Sequence, residues 1–129
     1  MSILGIDYGE KKIGLAKSAG SLAVSLGIIE NDNMLFQKIK EICEQGSIER
    51  IVVGVPHPHS GEKNEQQKKS EQFVNNLKQQ LQIEVVIEDE RMSTAEAQKL
   101  GKGLKKGADD DAIAAMLILQ SYLDKYYQQ

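Results

Sequence analysis

Four short segments hold the residues whose types and spacing could do chemistry, and three of these segments carry carboxylates. They are residues 3–9 with Asp7, residues 51–56, residues 85–91 with Asp89 and Glu90, and residues 109–111, which are all aspartates. A carboxylate at the tip of a buried strand is costly unless it is paired, hydrogen-bonded or bound to a metal. Several such carboxylates that converge at one end of a sheet therefore predict a divalent-cation site, and with it an enzyme.

Mg²⁺ and Mn²⁺ suit such a set of ligands, because these hard cations prefer carboxylate oxygen and retain bound water. In two-metal phosphodiester hydrolysis, one ion generates hydroxide and the other stabilises the leaving oxygen. This chemistry needs no Ser or Cys nucleophile, and none is evident in the sequence. We therefore predict that the same three acids serve as catalytic residues and metal ligands: Asp7, Glu90 and Asp111.

The first two acids have structural alternatives. Asp7 could be an Asx-turn residue that only shapes a hairpin, although Gly9 alone could supply that turn. Strand alternation puts Asp89 and Glu90 on opposite sides of the sheet, so at most one of them points at Asp7, and we favour Glu90. Arg91 could simply neutralise both acids in a salt bridge. Whether Asp89 or Glu90 is the ligand stays open at this point.

The aspartates at residues 109–111 also have an alternative role. Acids at a helix N-terminus are favoured by the helix dipole and by the unpaired backbone donors there, without any catalytic function. The flanking residues nevertheless favour Asp111, because Ala114 and Ala115 are small enough to let the helix lie close against the sheet. That approach would bring Asp111 toward Asp7.

Other polar residues near these acids could bind a substrate. We predict that its backbone phosphates are contacted or oriented by Lys11, Lys12 and Arg91, and that Thr94 also touches the site. His57 and His59 lie in a loop rich in Pro and Gly, where they could carry protons, bind phosphate or simply be exposed. Their role stays open.

The elements that must position these residues begin with three strands and a helix. Residues 3–7, 12–17 and 22–29 are predicted strands of an antiparallel meander, with Gly9 in the first turn. After a turn at residues 31–33, apolar residues recur at helical spacing from Leu35, and Gly46 is predicted to close that helix. The β-branched run at 51–55 is typical of a parallel strand that is covered on both faces.

The second half alternates helices and a strand. A polar helix carries one apolar face, formed by Phe73, Val74, Leu77 and Leu81, and a fifth strand is predicted at residues 83–87. A capping box at residues 93–96 starts a helix to about residue 100, and a mostly apolar helix runs from about 109 to 126. Right-handed crossovers make strands 1, 4 and 5 parallel. The prediction is an α/β fold, a five-stranded mixed sheet flanked by helices, in the element order of ribonuclease-H-like domains.

Length and composition fit one soluble enzyme domain. The chain has 129 residues, 40% of them hydrophobic and 27% charged, so we expect a single domain over residues 1–129 that buries a substantial core. No apolar run reaches about 18 residues, and the chain enters a strand directly, so we expect a cytoplasmic protein with no membrane partner. The lone Cys43 excludes a disulfide within the chain and reads as a buried apolar residue.

The charge balance permits a nucleic-acid partner without indicating one. The net charge of −3 lacks the basic excess that phosphate binders usually show. Three small basic groups nevertheless flank the predicted site in sequence: Lys11 with Lys12, Lys68 with Lys69, and Lys102 with Lys105 and Lys106.

Four blocks together closely resemble the YqgF/RuvX family, in order and over nearly the whole chain. They are GIDYGEKKIGLA at 5–16, VGVP at 53–56 with Gly61, DERMSTAEA at 89–97 and DAIAAMLILQSYLD at 111–124. The resemblance implies a ribonuclease-H-like fold, with Asp7, Glu90 and Asp111 as catalytic acids. More distant resolvases carry a Glu on the fourth strand, where this chain has Gly54, so the second acid is expected from Glu90 on the next strand.

This family has been described as proposed Holliday junction resolvases and as the proposed nuclease that matures the 5′ end of pre-16S ribosomal RNA. The resemblance thus implies a Mg²⁺- or Mn²⁺-dependent nuclease, acting on pre-rRNA or on branched DNA as a monomer or weak homodimer. A resolvase would need a dimer that presents two sites to opposed strands. A non-catalytic nucleic-acid-binding factor in ribosome assembly is the remaining alternative.

Overall fold

Five strands form one mixed sheet in the order β3-β2-β1-β4-β5. The computed structural model describes residues 1–55, 65–89 and 109–127, with side chains of the last helix from Ala112 onward. The strands are β1 (Ser2–Asp7), β2 (Lys12–Ala19), β3 (Leu22–Glu30), β4 (Ile48–Val55) and β5 (Glu84–Asp89). The helices of these described ranges are α1 (Leu35–Gly46), α2 (Glu65–Gln80) and α3 (Asp109–Tyr127).

Strand directions match the predicted architecture. Strands β1, β2 and β3 pair antiparallel, while β4 pairs parallel with both β1 and β5. The predicted ribonuclease-H-like α/β fold class is therefore confirmed. In the described ranges no helix has an apolar stretch long enough to cross a bilayer.

Each strand extends one to three residues beyond one end of its predicted range, and the largest difference lies where α1 passes into β4. Gly46 is the last residue of α1, and Ser47 rather than glycine adopts the left-handed conformation, with φ of 53°. The Ser47 N–H donates to the carbonyls of Cys43 and Glu44, which closes the helix. Because this turn is so short, β4 starts at Ile48, three residues before the predicted strand. The added residues of β4 pair with the start of β1.

The two faces of the sheet carry separate cores. Alternate residues of β1 and β4, such as Leu4, Ile6 and Val53, join the core beneath α1 and α2. The intervening residues, such as Ile3 and Val52, pack instead with α3. This alternation assigns every strand residue to either the α1–α2 face or the α3 face, and so fixes where a polar side chain on a strand must lie.

Helix α3 lies against the sheet at two glycines. A Cβ atom at Gly5 would lie 2.7 Å from Cβ of Leu119 and 3.1 Å from the carbonyl oxygen of Ala115, and one at Gly54 would overlap Cδ1 of Ile118. Ala115 is fully buried at this contact, as expected of a small residue that allows a close approach. The glycines thus set how closely α3 approaches β1 and β4.

Candidate functional site

Asp7 is the last residue of β1, and its carboxylate lies on the α3 face. Ile3 and Gly5, the alternate residues before it, both contact α3. The residue is only 9% exposed. Its register partners are Gly14 on β2 and Gly54 on β4, neither of which places a side chain beside the carboxylate. Asp7 is therefore a buried acid at the carboxyl end of the central strand, and the strands on both sides place no side chain in its row.

The backbone of residue 111 lies close to this end of the sheet. It is part of α3 and comes one helical turn before Ala115, whose carbonyl oxygen faces Gly5. Gly5 in turn precedes Asp7 by two residues on the same face of β1. The α3 backbone thus runs toward the Asp7 region, while the side chain of Asp111 lies outside the described atoms.

The two acids at the end of β5 are separated by the edge of the described structure. Asp89 is in register with Val55, which packs in the core beneath α1 and α2. Asp89 therefore lies on the face opposite to Asp7, which agrees with the preference for Glu90. Glu90, Arg91, Thr94, His57 and His59 all lie outside the described residues, so their predicted roles stay predictions.

A second buried carboxylate, Glu88, was not predicted from the sequence. It shares the row of Asp7, because Gly54 is the register partner of both, and it is 5% exposed on the α3 face. Lys125 Nζ donates to Glu88 Oε1 at 2.5 Å, and Ser121 Oγ donates to the same atom at 3.2 Å. Helix α3 thus neutralises this acid. Strand alternation, applied from Asp89, would have placed it on the Asp7 face.

Lys11 and Lys12 are exposed beside the end of β1, as a phosphate-binding role requires. The turn that carries them is tight, because a Cβ atom at Gly9 would lie 2.5 Å from the carbonyl oxygen of Lys12. The Lys11 carbonyl accepts a hydrogen bond from the backbone N–H of Asn31 at 2.9 Å, which ties the turn to the end of β3. Both ammonium groups can reach a substrate from a fixed backbone.

An ion pair joins this turn to α2. Lys69 Nζ lies 2.7 Å from Glu10 Oε1. The hydrogen bond from Lys69 lowers the pKa of Glu10, and the same bond raises the pKa of Lys69. Both groups therefore stay charged at neutral pH. The partners are 59 residues apart in sequence, so no local pattern could have predicted the pair.

The candidate ligands fit a hard cation by their chemistry. Within residues 1–55, 65–89 and 109–127, no three His, Cys, Asp or Glu side chains are placed to hold a metal. Those ranges omit Glu90 and the side chain of Asp111. The predicted set with Asp7 offers only carboxylate oxygens, the donors that Mg²⁺ and Mn²⁺ prefer.

Comparison with solved structures finds the same ribonuclease-H-like fold in two resolvases. Thermus thermophilus RuvC in complex with Holliday junction substrate superposes with a TM-score of 0.68 at 16% identity, over 99% of this chain and 97% of that one. The fowlpox virus resolvase, in complex with substrate Holliday junction DNA, gives 0.60 at 12% identity, over 99% and 100% of the two chains. At these identities the likeness establishes the fold alone.

Sequence comparison identifies the family. The model of the RuvX family, described as Holliday junction resolvase, matches residues 1–125. A protein of Sulfurihydrogenibium sp. is 39% identical over 130 residues, which cover 95% of this chain and 90% of that protein. One from Clostridium tetani is 34% identical over the full length of both chains. Both are named "Putative pre-16S rRNA nuclease". The chain belongs to the RuvX family, whose description and relatives are those of nucleases.

Proposed function

We propose that this protein is a divalent-metal-dependent nuclease that hydrolyses phosphodiester bonds, with Asp7, Glu90 and Asp111 as the acids that hold the metal. The observation that carries the proposal is the buried Asp7 carboxylate between Gly14 and Gly54, at the carboxyl end of β1 in a RuvX-family chain. Open α/β sheets bind their ligands beyond the carboxyl ends of their strands.

Alternation along β5 supports Glu90 as the second acid. Asp89 lies on the α1–α2 face, so the alternation of β5, if carried one residue further, would return to the face of Asp7. The position on β4 that is in register with Asp7 offers no acid, because it is Gly54. Ile118 of α3 fills the space that a side chain at Gly54 would need. The proposed donor set therefore spans β1, β5 and α3, without β4.

The residues of this chain divide the work of hydrolysis as follows. A Mg²⁺ or Mn²⁺ ion held by the three acids would supply hydroxide at neutral pH and stabilise the leaving oxygen. Strand β1 holds Asp7 between Gly14 of β2 and Gly54 of β4. Lys11 and Lys12 contact the phosphates of the substrate from the adjoining turn, and Arg91 and Thr94 orient the phosphate at the reacting centre.

The proposed substrate is the 5′ region of pre-16S ribosomal RNA, in line with the names of the most similar relatives. Two alternatives follow from other observations. The family description and the solved resolvase structures favour a Holliday junction. The other alternative is a non-catalytic ribosome-assembly factor, and the net charge of −3 agrees with weak binding of nucleic acid. The proposed cellular location is the cytoplasm, where precursor rRNA is processed.

The test is a parallel incubation of the pure protein with a pre-16S 5′ leader RNA and a four-way DNA junction. Each reaction is run with Mn²⁺, with Mg²⁺ and with chelator. Asp7→Asn should lower metal-dependent cleavage at least about 100-fold, because even groups that only orient metal ligands are worth about 10–100-fold. Glu88→Gln, the control in the same row, should cleave within a few-fold of the unaltered protein.

Each result selects one function. Cleavage of the RNA alone supports the proposal, and paired nicks in the junction alone select the resolvase. Binding that persists in chelator with no cleavage of either substrate selects the non-catalytic factor. An Asp7→Asn protein that still cleaves at the normal rate would refute the assigned site.

A further inference from the structure

A small cavity opens next to the proposed site. It has a volume of about 140 Å³ and lies between the β1–β2 turn, the start of α1 and α2. Tyr8, the residue directly after Asp7, forms part of its wall. Sites for drug-sized ligands have volumes of about 300–1,000 Å³, so this cavity has room for a single planar ring system only.

One wall of the cavity is aromatic. The ring centroids of Tyr8 and Phe73 are 4.6 Å apart, and those of Phe36 and Phe73 are 5.8 Å apart. Phe73 is buried, whereas Tyr8 and Phe36 are only half-buried. Aromatic faces of this kind are the stacking surfaces on which proteins bind unpaired bases.

The lining of the cavity also includes the amide side chains of Asn31, Gln72 and Asn76. An amide presents a donor and an acceptor side by side, which matches the edge of a nucleobase. Asn31 Nδ2 donates to the Gly9 carbonyl at 2.8 Å, so its amide is held in place by the turn. Gln72 and Asn76 are four residues apart and therefore share one face of α2.

The walls are also tied together. Lys69 lines the cavity from α2, and its ion pair with Glu10 at 2.7 Å holds α2 against the turn that carries Tyr8. Amides alone would be explained as an ordinary solvated helix face. The combination of half-buried rings with these amides, the ion pair beside them and the position of Tyr8 directly after Asp7 in sequence indicate a ligand.

We propose that this cavity, here called the base pocket, receives one unpaired nucleobase of the substrate, from the nucleotide next to the scissile phosphate. The inference rests on the proposed nuclease function. Asp7 lies on the α3 face, whereas Tyr8 packs against the core of the α1–α2 face. A nucleic-acid strand crossing the end of β1 would thus place a phosphate on one side and a base on the other. The base pocket selects substrates with an unpaired nucleotide at the cleavage point over continuous duplex.

The test uses short single-stranded oligonucleotides of the leader sequence, in chelator so that no cleavage occurs. A 2-aminopurine is placed at successive positions, and a matching set carries an abasic site instead. The fluorescence of 2-aminopurine should be quenched by stacking at one position only. An abasic site should weaken binding of the oligonucleotide to the protein only at that same position. Asn76→Ala should weaken binding of the base-bearing strand about 2–10-fold, as expected for one lost hydrogen bond, and should not change binding of the strand that is abasic at that position.

The control is Asn75→Ala, because Asn75 is exposed on the neighbouring position of α2 and does not line the cavity. Asn75→Ala should change the affinity for neither the base-bearing nor the abasic strand. The Asn75→Ala and Asn76→Ala proteins should melt at the same temperature. If Asn76→Ala melts early, Gln72→Ala takes its place. Equal binding of the abasic and base-bearing strands, or equal effects of the Asn75 and Asn76 changes, would overturn the base pocket.

The two proposals fail in different ways. Position-specific quenching in a protein that never cleaves with Mn²⁺ supports the base pocket and rejects the nuclease. Cleavage that depends on Asp7, without any preferred quenching position, supports the nuclease and rejects the base pocket.

Discussion

Two buried carboxylates lie in one row on the α3 face, and their surroundings differ. Glu88, at the β5 end of the row, accepts hydrogen bonds from Lys125 and Ser121 of α3. Asp7, on β1, has glycine on both neighbouring strands. Burial of an acid on this face is thus no sign of catalysis by itself. What distinguishes the candidate ligand is its place at the end of β1, next to the exposed Lys11 and Lys12. The other acid is neutralised by the helix that covers it.

The stabilisation of the fold by bound metal should show the largest difference between variants of Asp7 and variants of Glu88. At a hundredfold excess of Mn²⁺ over its dissociation constant, the free energy of unfolding should rise by about 2.7 kcal/mol. Asp7→Asn should remove most of this gain, and Glu88→Gln should preserve it, as measured by urea unfolding with and without Mn²⁺. Loss of the gain in the Glu88 variant would mean that both acids hold the ion.

Gly54 lies between the two acids, and its replacement by alanine should destabilise the protein by about 2 kcal/mol. The added Cβ would overlap Cδ1 of Ile118 and force α3 away from the sheet. Ile118→Val removes that atom, so the double variant should lose less than the sum of the two single losses. Denaturant melts of all four proteins test this, and strict additivity would show that α3 shifts freely.

The two partners of the Glu88–Lys125 ion pair should differ in how much stability is lost when each is replaced. Lys125→Met should lower the free energy of unfolding by about 1 kcal/mol, because it removes the cationic partner of a carboxylate whose side chain is only 6% exposed. The loss is limited to this size because Lys125 is exposed and water can replace it. Glu88→Gln should cost less, since the amide oxygen still accepts from Ser121 and Lys125 is largely in solvent. Thermal melts with cleavage assays would separate this effect from catalysis, and a larger loss for Glu88→Gln would contradict it.

The exposed pair of Glu10 and Lys69 should have the smallest effect. Because the folded state lowers the pKa of Glu10, the pair contributes above the ordinary value of 4.5, and this contribution is lost as pH falls through the folded pKa. Glu10→Gln should therefore lower stability slightly at pH 7 and leave stability at low pH unchanged, which flattens the acid side of the stability profile. A marked loss at pH 7 would show a larger role for the pair.

Local patterns were enough to predict the sheet. Alternation and β-branched runs indicated β1 and β4, and the crossover rule then fixed their parallel pairing. Asp7 could be placed because it ends a strand just before the Gly9 turn. The buried state of Cys43 also followed from helical spacing, and burial indeed raises the pKa of its thiol to about 11.

Features made by distant residues could not be predicted in the same way. Glu88 and Lys125 are 37 residues apart, and among neighbouring acids nothing marked Glu88 as the partner of a helix. The base pocket joins Tyr8 to α2, whose polar face gives only a pattern of solvated side chains. Ser47 in the left-handed region was missed because Gly46, the residue that usually takes that conformation, precedes it.

The contact between Gly54 and Ile118 also limits how this protein could change over evolutionary time. An acid on β4, of the kind that more distant resolvases carry, cannot enter by one substitution, because Ile118 already occupies that volume. Residue 118 would have to shrink first, leaving an intermediate with a void beneath α3. The two positions are therefore epistatic, and comparison of related sequences should find them changing together.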